Sequence, residues 1–513
     1  MAWKHWVAAA ALACSGAPAL AGWTEARSKH FIIYSEQKPE QLQRYAQDLE
    51  RFDQTVRLLR DMEDPELSDS GRLTIYVLAN QEAVESLMGV SGVAGMYVGR
   101  AAGARAFVHR GRGAEAYELQ AQSVFFHEYL HHLMLQQNDL ALPAWLVEGA
   151  AELYSTARVN RDGSVTIGGA PQHRAWGLFT LNDLSIQNMV GANLEKMTSA
   201  QVELLYGRGW LLTHMLTFEP ARRGQLARYV DGIQKGMTAL DSAKAAFGDL
   251  RLLDRDLNRY LDRRRISGLT LPADKIRIGP ITLRPLTAAE SAALPVVMRS
   301  DRGVGKKTAA KVANDARKVA ARFPNDAVVL AALAEAETDA DNHAAAVAAA
   351  DRAIALAPNY SKPMIMKARA LLAMSESDAS KTDWKALRAL IGKANRLDPD
   401  HAEPLMLFYR TYLGQGIAPT RNAADGLLYA QRIVPQDDSL RLLAVRQLIA
   451  DGKLSQAHLL FGAIANDPHT GDKRERLQQI AQALAAGKGA QATALLDAHE
   501  KAEDAEETKS GAK

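Results

Sequence analysis

The chain has 513 residues, more than one hydrophobic core normally organises, so two or three domains are expected. Its 47% hydrophobic and 24% charged residues are ordinary for a globular protein, and a formal net charge of +3 with no Lys/Arg block argues against a nucleic-acid partner. Cys14 is the single cysteine, which excludes an intramolecular disulfide.

Residues 1–21 have the physics of a secretory signal: Lys4 and His5, an apolar run from Val7 to Ala13, and the small-residue site Ala19-Leu20-Ala21. Cleavage after Ala21 and export to the periplasm or beyond are expected. Ser15, Gly16 and Pro18 cut the apolar run too short to span a bilayer, so no transmembrane segment is expected in the mature chain.

From Trp23 to about Gly113 the pattern mixes periods. Phe31–Tyr34 and Leu73–Leu78 read as strands, Pro39–Leu59 and Gln81–Leu87 as helices, and Met96–Val98 and Ala106–His109 as short strands. An α+β lobe is expected here. A helix follows over Ala116–Met134, free of Pro and Gly, with Glu115 and Glu118 near its start and Val124, Phe125, Leu130 and Leu133 to bury.

That helix carries His127-Glu128-Tyr129-Leu130-His131. Histidines four apart on a helix project from one face and can both reach one Zn²⁺ ion, while Glu128, one position on, points past the metal and can take a proton from the attacking water. Catalytic zinc normally takes three protein ligands, and Glu148 in Pro143-Ala144-Trp145-Leu146-Val147-Glu148-Gly149 is the third candidate, on a second helix opened by Pro143. The run Gly149-Ala150-Ala151 lets that helix approach the first closely. Glu152, one turn beyond Glu148, is placed to accept the free ring N–H of a ligand histidine. His132 points about 100° away from His131 and reads as packing, as do His109 and His214, which no motif supports.

His-Glu-x-x-His followed by Trp-Leu-x-Glu-Gly-x-Ala resembles the gluzincin metallopeptidases, the clan of thermolysin and aminopeptidase N, and most of all the aminopeptidase N branch and peptidase MA-like domains. Leu205-Tyr206-Gly207-Arg208-Gly209-Trp210 is similar to that branch's Tyr-x-Lys-Gly segment, with Arg208 where Lys is common. The resemblance implies that Tyr206 hydrogen-bonds the oxyanion and that a sheet-edge strand binds the peptide; Ala104–His109 is the candidate edge. The branch's Gly-x-Met-Glu-Asn segment has no counterpart: Gly95-Met96-Tyr97-Val98-Gly99 lacks the acidic residue that would hold a substrate α-amine.

Residues 160–265 read as helical with a Gly-rich hairpin or loop at Asp162–Ala170, and 266–300, with Pro272, Pro280, Pro285 and Pro295 around a strand-like Lys275–Ile278, as a connector or a small β element without a core helix. Beyond 301, Pro324, Pro358, Pro399, Pro435 and Pro468 fall 34, 41, 36 and 33 residues apart, with Ala353, Ala394, Ala430 and Ala463 five residues before the last four; the longest step holds a polar stretch, Ser375–Asp383. This period, with Ala334, Ala346 and Ala353 at small positions, resembles tetratricopeptide repeats over 301–500. Residues 501–513 read as a disordered tail.

The sequence thus implies an α+β gluzincin-like metallopeptidase domain over 22–265 and an all-α tetratricopeptide-repeat solenoid, which hydrolyses peptide bonds of a peptide or protein substrate with Zn²⁺ and presents a concave surface to substrate or partner. The rival from another class is a non-catalytic periplasmic binding or assembly factor acting through its repeats.

Overall fold

A computed structural model describes residues 22–93, 95–109, 121–137, 142–181, 183–192, 197–465 and 473–510. The expected signal segment, the first residues of the expected Ala116–Met134 helix, and Pro468 lie outside them. In chain order the first lobe has β1 (Thr24–Arg27), β2 (Phe31–Ser35), α1 (Pro39–Arg60), β3 (Leu73–Leu78), α2 (Gln81–Met88), β4 (Gly95–Val98) and β5 (Arg105–His109). Then come α3 (Ala121–Gln137), α4 (Ala144–Ser155), the hairpin β6 (Arg158–Val159) and β7 (Val165–Ile167), α5 (Ala175–Thr180), α6 (Ile186–Val190), α7 (Ser199–Phe218), α8 (Gln225–Gln234), α9 (Ala239–Phe247) and α10 (Leu250–Leu261).

The main sheet runs β4-β5-β3-β2-β1-β9, with β9 at Thr282–Pro285; β2, β3 and β5 are parallel, and β4 joins β5 antiparallel. All six residues of β3 are buried because both faces are covered. Leu73, Ile75 and Val77, with Ala106 and Val108 of β5, face a core shared with α1, α3 and α4; Tyr76, Leu78 and Phe107 face the other way, onto Val84 of α2 and Leu294 and Met298.

Leu294 and Met298 belong to α11 (Ala288–Arg302), and here the expectation of no core helix is corrected. A capping box between Thr287 and Glu290 starts this helix, and apolar burial on the sheet holds it despite Pro295 in its interior. Upstream, β8 (Leu269–Leu271) pairs with β7 and β9 with β1, so the segment completes both sheets of the lobe. Lys275–Ile278 forms no strand; Lys275 ends a 3₁₀ turn that spans Ala273–Lys275. The assignment of the edge to Ala104–His109 is also corrected: β5 is paired on both sides, and among the described residues β4 is the outermost strand on that side, with β9 at the opposite edge.

The rest is an all-α array of helix pairs. After α12 (Lys306–Arg322) come α13 (Ala327–Asp339) with α14 (His343–Leu356), α15 (Ser361–Ser377) with α16 (Trp384–Leu397), α17 (Ala402–Gly414) with α18 (Arg421–Ile433), α19 (Asp438–Ala450) with α20 (Leu454–Ala465), and α21 (Arg474–Ala485) with α22 (Gly489–Ser510). Ala334, Ala346 and Ala353 are fully buried, as the repeat pattern requires, and Pro324, Pro358, Pro399 and Pro435 stand in the turns between pairs. The tail expectation fails at Lys501–Ser510, which continue α22: Ala, Glu and Lys are strong helix formers, and Arg446 pairs with Glu500 at 3.0 Å. Residues 511–513 lie outside the described chain. No helix among the described residues is long and apolar enough to cross a membrane.

Candidate metal centre

Helix α3 presents His127 and His131 toward α4, with ring centroids 4.8 Å apart and nearly perpendicular planes. Glu148 of α4 is fully buried between them, its Oε2 3.2 Å from His127 Nε2 and 3.6 Å from His131 Nε2. One donor atom from each of the three lies within 4.8 Å of the others, so the set can hold a metal ion, and two imidazoles with one carboxylate form a donor set of the catalytic-zinc kind.

The position of Glu148 depends on a helix crossing. A Cβ on Gly149 would stand 2.3 Å from the Gly209 carbonyl oxygen, and one on Gly209 would stand 2.6 Å from the Trp145 carbonyl oxygen. Glycine on both helices therefore lets α4 and α7 touch backbone to backbone. The close approach expected toward α3 is thus made at Gly149 toward α7, the helix that also carries Tyr206.

Glu128 and Tyr206 line one cleft of about 470 Å³ together with His127, Glu152, His173 and Arg174. The Tyr206 ring runs nearly parallel to that of His127, with centroids 6.3 Å apart. Burial, and then the adjacent Glu148 carboxylate, raises its phenol above the usual tyrosine value. Arg208 turns away from the cleft and binds Asp254 at 2.5 Å and Asn258 at 3.0 Å, which ties α7 to α10.

Glu152 does not make the expected bond. Its Oε1 stands 3.8 Å from His127 Nδ1, beyond hydrogen-bond reach, and instead accepts a forked pair from Arg174 at 2.9 and 2.7 Å. A bidentate guanidinium outcompetes a single imidazole for that oxygen. His173 Nε2 stands 3.3 Å from Glu152 Oε2; burial would raise this carboxyl, but the His173 contact and the Arg174 charge bring it below the ordinary value. Arg174 also binds Glu203 at 2.7 Å and lies 4.6 Å over the Tyr206 ring, so it joins three walls of the cleft. No motif marks His173 and Arg174 in the sequence, because a short 3₁₀ turn delivers them.

Two of the other histidines weighed in the sequence are held by bonds to neighbouring elements. His132 is buried, pushed down to about 3 by that burial, and bonded to the Tyr97 hydroxyl of β4 at 2.6 Å and to Gln136 at 2.9 Å. His214 is bonded to Tyr260 and to the Gly168 carbonyl. His109 ends β5.

A second cluster, missed in the sequence, lies beneath α3. His30 sits among Glu50, Asp53 and Asp64. Arg57 donates to both Asp53 oxygens at 3.0 and 2.8 Å, and Tyr129 donates to Oδ1 at 2.8 Å. Because a cation already fills the carboxylate pocket, this is an ion network and not a metal site. Through Tyr129 it fixes α3 between its two histidines.

No protein-family model and no curated protein matches the chain. Among solved structures it is similar to TTC0263, a thermophilic TPR protein of Thermus thermophilus, at 15% identity over 39% of this chain and all of that one, with a TM-score of 0.31. It is also similar to yeast Tom70, at 12% identity over 61% of this chain and 68% of that one, with a TM-score of 0.26.

Proposed function

We propose that the chain is an exported zinc-dependent metallopeptidase. The observation that carries this reading is the convergence of donor atoms from His127, His131 and Glu148, with His127 also lining the cleft that holds Glu128 and Tyr206. His127, His131 and Glu148 would hold the ion, which when bound would supply Lewis-acid polarisation and lower the pKa of a water toward neutral pH. Glu128 takes the proton of the attacking water and delivers it to the leaving amine. The Tyr206 hydroxyl donates to the oxyanion, a term typically worth about 3 kcal/mol. Arg174 keeps Glu152, Glu203 and Tyr206 in register around the cleft. The strand β4 offers its outer edge to an extended peptide by main-chain pairing. Its sequence, Gly-Met-Tyr-Val, carries no carboxylate. The helical repeats contribute protein recognition.

Metal analysis of the purified full chain tests the ligand set. About one zinc per chain is expected, and Glu148→Ala should lose most of it. Full zinc retention in that variant would remove Glu148 from the set.

A further inference from the structure

The turn that leaves the edge strand β4 is gripped by the repeats. At Gly99, the next residue, a Cβ would fall 2.4 Å from Gln436 Cγ and 2.8 Å from the Gln436 carbonyl oxygen, so only glycine allows this approach. Two residues on, the Ala101 N–H donates to Asp437 Oδ2 at 2.5 Å, and the Ala101 side chain is buried in the apolar cluster of α17 to α22. Asp437 Oδ1 meanwhile accepts the Leu440 N–H at 2.8 Å as the cap of α19. One carboxylate thus joins the exit of β4 to a repeat helix.

Other contacts extend this seam. Ser70 donates to Asp398 at 2.8 Å, and Arg105 of β5 and Tyr76 of β3 both donate to Asp301 Oδ2, at 3.0 and 2.5 Å. Asp398, Gln436 and Asp437 stand in the turns that carry Pro399 and Pro435, so the proline-marked turns between successive repeats form the docking row.

Beyond its ladder with β5 and the bond of Tyr97 to His132, the four-residue strand β4 is paired on one side only, whereas main-chain pairing with a substrate tolerates errors of only about 0.5 Å. We propose that the repeats position the substrate-binding edge: the docking of Gly99 and Ala101 on Gln436 and Asp437 sets how well β4 receives a peptide. The solenoid is then part of the catalytic unit and not a detachable recognition module. This rests on the peptidase reading, with Gly99, Ala101 and Asp437 as positioning residues that touch neither metal nor substrate.

The test uses the full chain with Gly99→Ala, Asp437→Ala and Asp437→Asn. Gly99→Ala and Asp437→Ala should raise KM for a short peptide about ten-fold, leave kcat within about two-fold, leave zinc content unchanged, and speed amide exchange in Gly95–Val98 about ten-fold. Asp437→Asn keeps one amide oxygen as acceptor and should stay closer to wild type than Asp437→Ala in both readouts. Unchanged KM and unchanged β4 exchange in Gly99→Ala overturn the proposal, as does a fall in kcat alone. If the wild type cleaves no peptide, the peptidase reading fails, and the exchange of β4 in Gly99→Ala alone decides whether the repeats hold the strand.

Discussion

The crossing of α4 and α7 at Gly149 can be tested with one methyl group. In Gly149→Ala the new Cβ would stand 2.3 Å from the Gly209 carbonyl oxygen, 2.5 Å from its carbon and 2.6 Å from Thr213 Oγ1. A carbon–oxygen contact needs roughly 3.3 Å, so the helices must part by about 1 Å. Overpacking of this kind costs about 1–3 kcal/mol, here toward the upper end because the obstacle is backbone. Replacing a helical glycine by alanine returns about 1 kcal/mol of helix propensity, so the net loss is about 2 kcal/mol. The displaced residue is the neighbour of Glu148, and a shift of about 1 Å exceeds the roughly 0.5 Å that a metal ligand tolerates, so zinc affinity should fall at least about ten-fold. Chemical denaturation reads the first effect and zinc competition with a chelator the second. An unconstrained helical glycine would give the opposite sign. If Gly149→Ala gains stability with unchanged zinc affinity, the crossing does not position Glu148.

Tyr206→Phe keeps the ring beside His127 and removes one donor, so kcat should fall by roughly 10²–10³ with KM little changed; full activity in steady-state assays would reduce Tyr206 to a packing residue. The ion network beneath α3 predicts a pH dependence of stability. Burial lowers His30, but its bond to Glu50 and the Asp53 charge outweigh this and raise it, so its contribution is fully present below about pH 6.5 and is lost as pH rises through the folded value. Asp64 is held down to about 2: burial opposes the shift, and bonds from Lys29, Gln54 and His30 produce it. Its contribution is therefore present above about pH 4 and lost as pH falls through about 2. Denaturant midpoints measured against pH should show both slopes in the wild type, and only the acid slope, weakened, in His30→Gln. An unchanged alkaline slope in that variant would remove His30 from the account.

Much of this was legible in the sequence where local chemistry dominates. The four-residue spacing of His127 and His131 and the apolar face around them specify both a helix and its business side. Strands β2 and β3 and helix α1 follow from their periods, and the fully buried Ala334, Ala346 and Ala353 follow from the repeat. What stayed hidden depends on partners distant in sequence. β4, and not Ala104–His109, is the edge because pairing order is a tertiary fact. Pro295 reads as a helix breaker, yet α11 persists because Leu294 and Met298 bury against the sheet. His173 and Arg174 reach the cleft only because a 3₁₀ turn folds back over α7. The grip of Asp437 on Ala101 spans 336 residues and leaves no periodic trace.

The central claim is that Glu128 acts as a base beside a zinc ion held by His127, His131 and Glu148. Cleavage of a mixed peptide library by the wild type and by Glu128→Gln, at matched zinc content, tests it most directly. Glu128→Gln keeps all three ligands, so zinc content should be unchanged while cleavage falls by several orders of magnitude. Equal cleavage by the two proteins, or none by the zinc-loaded wild type, would contradict it.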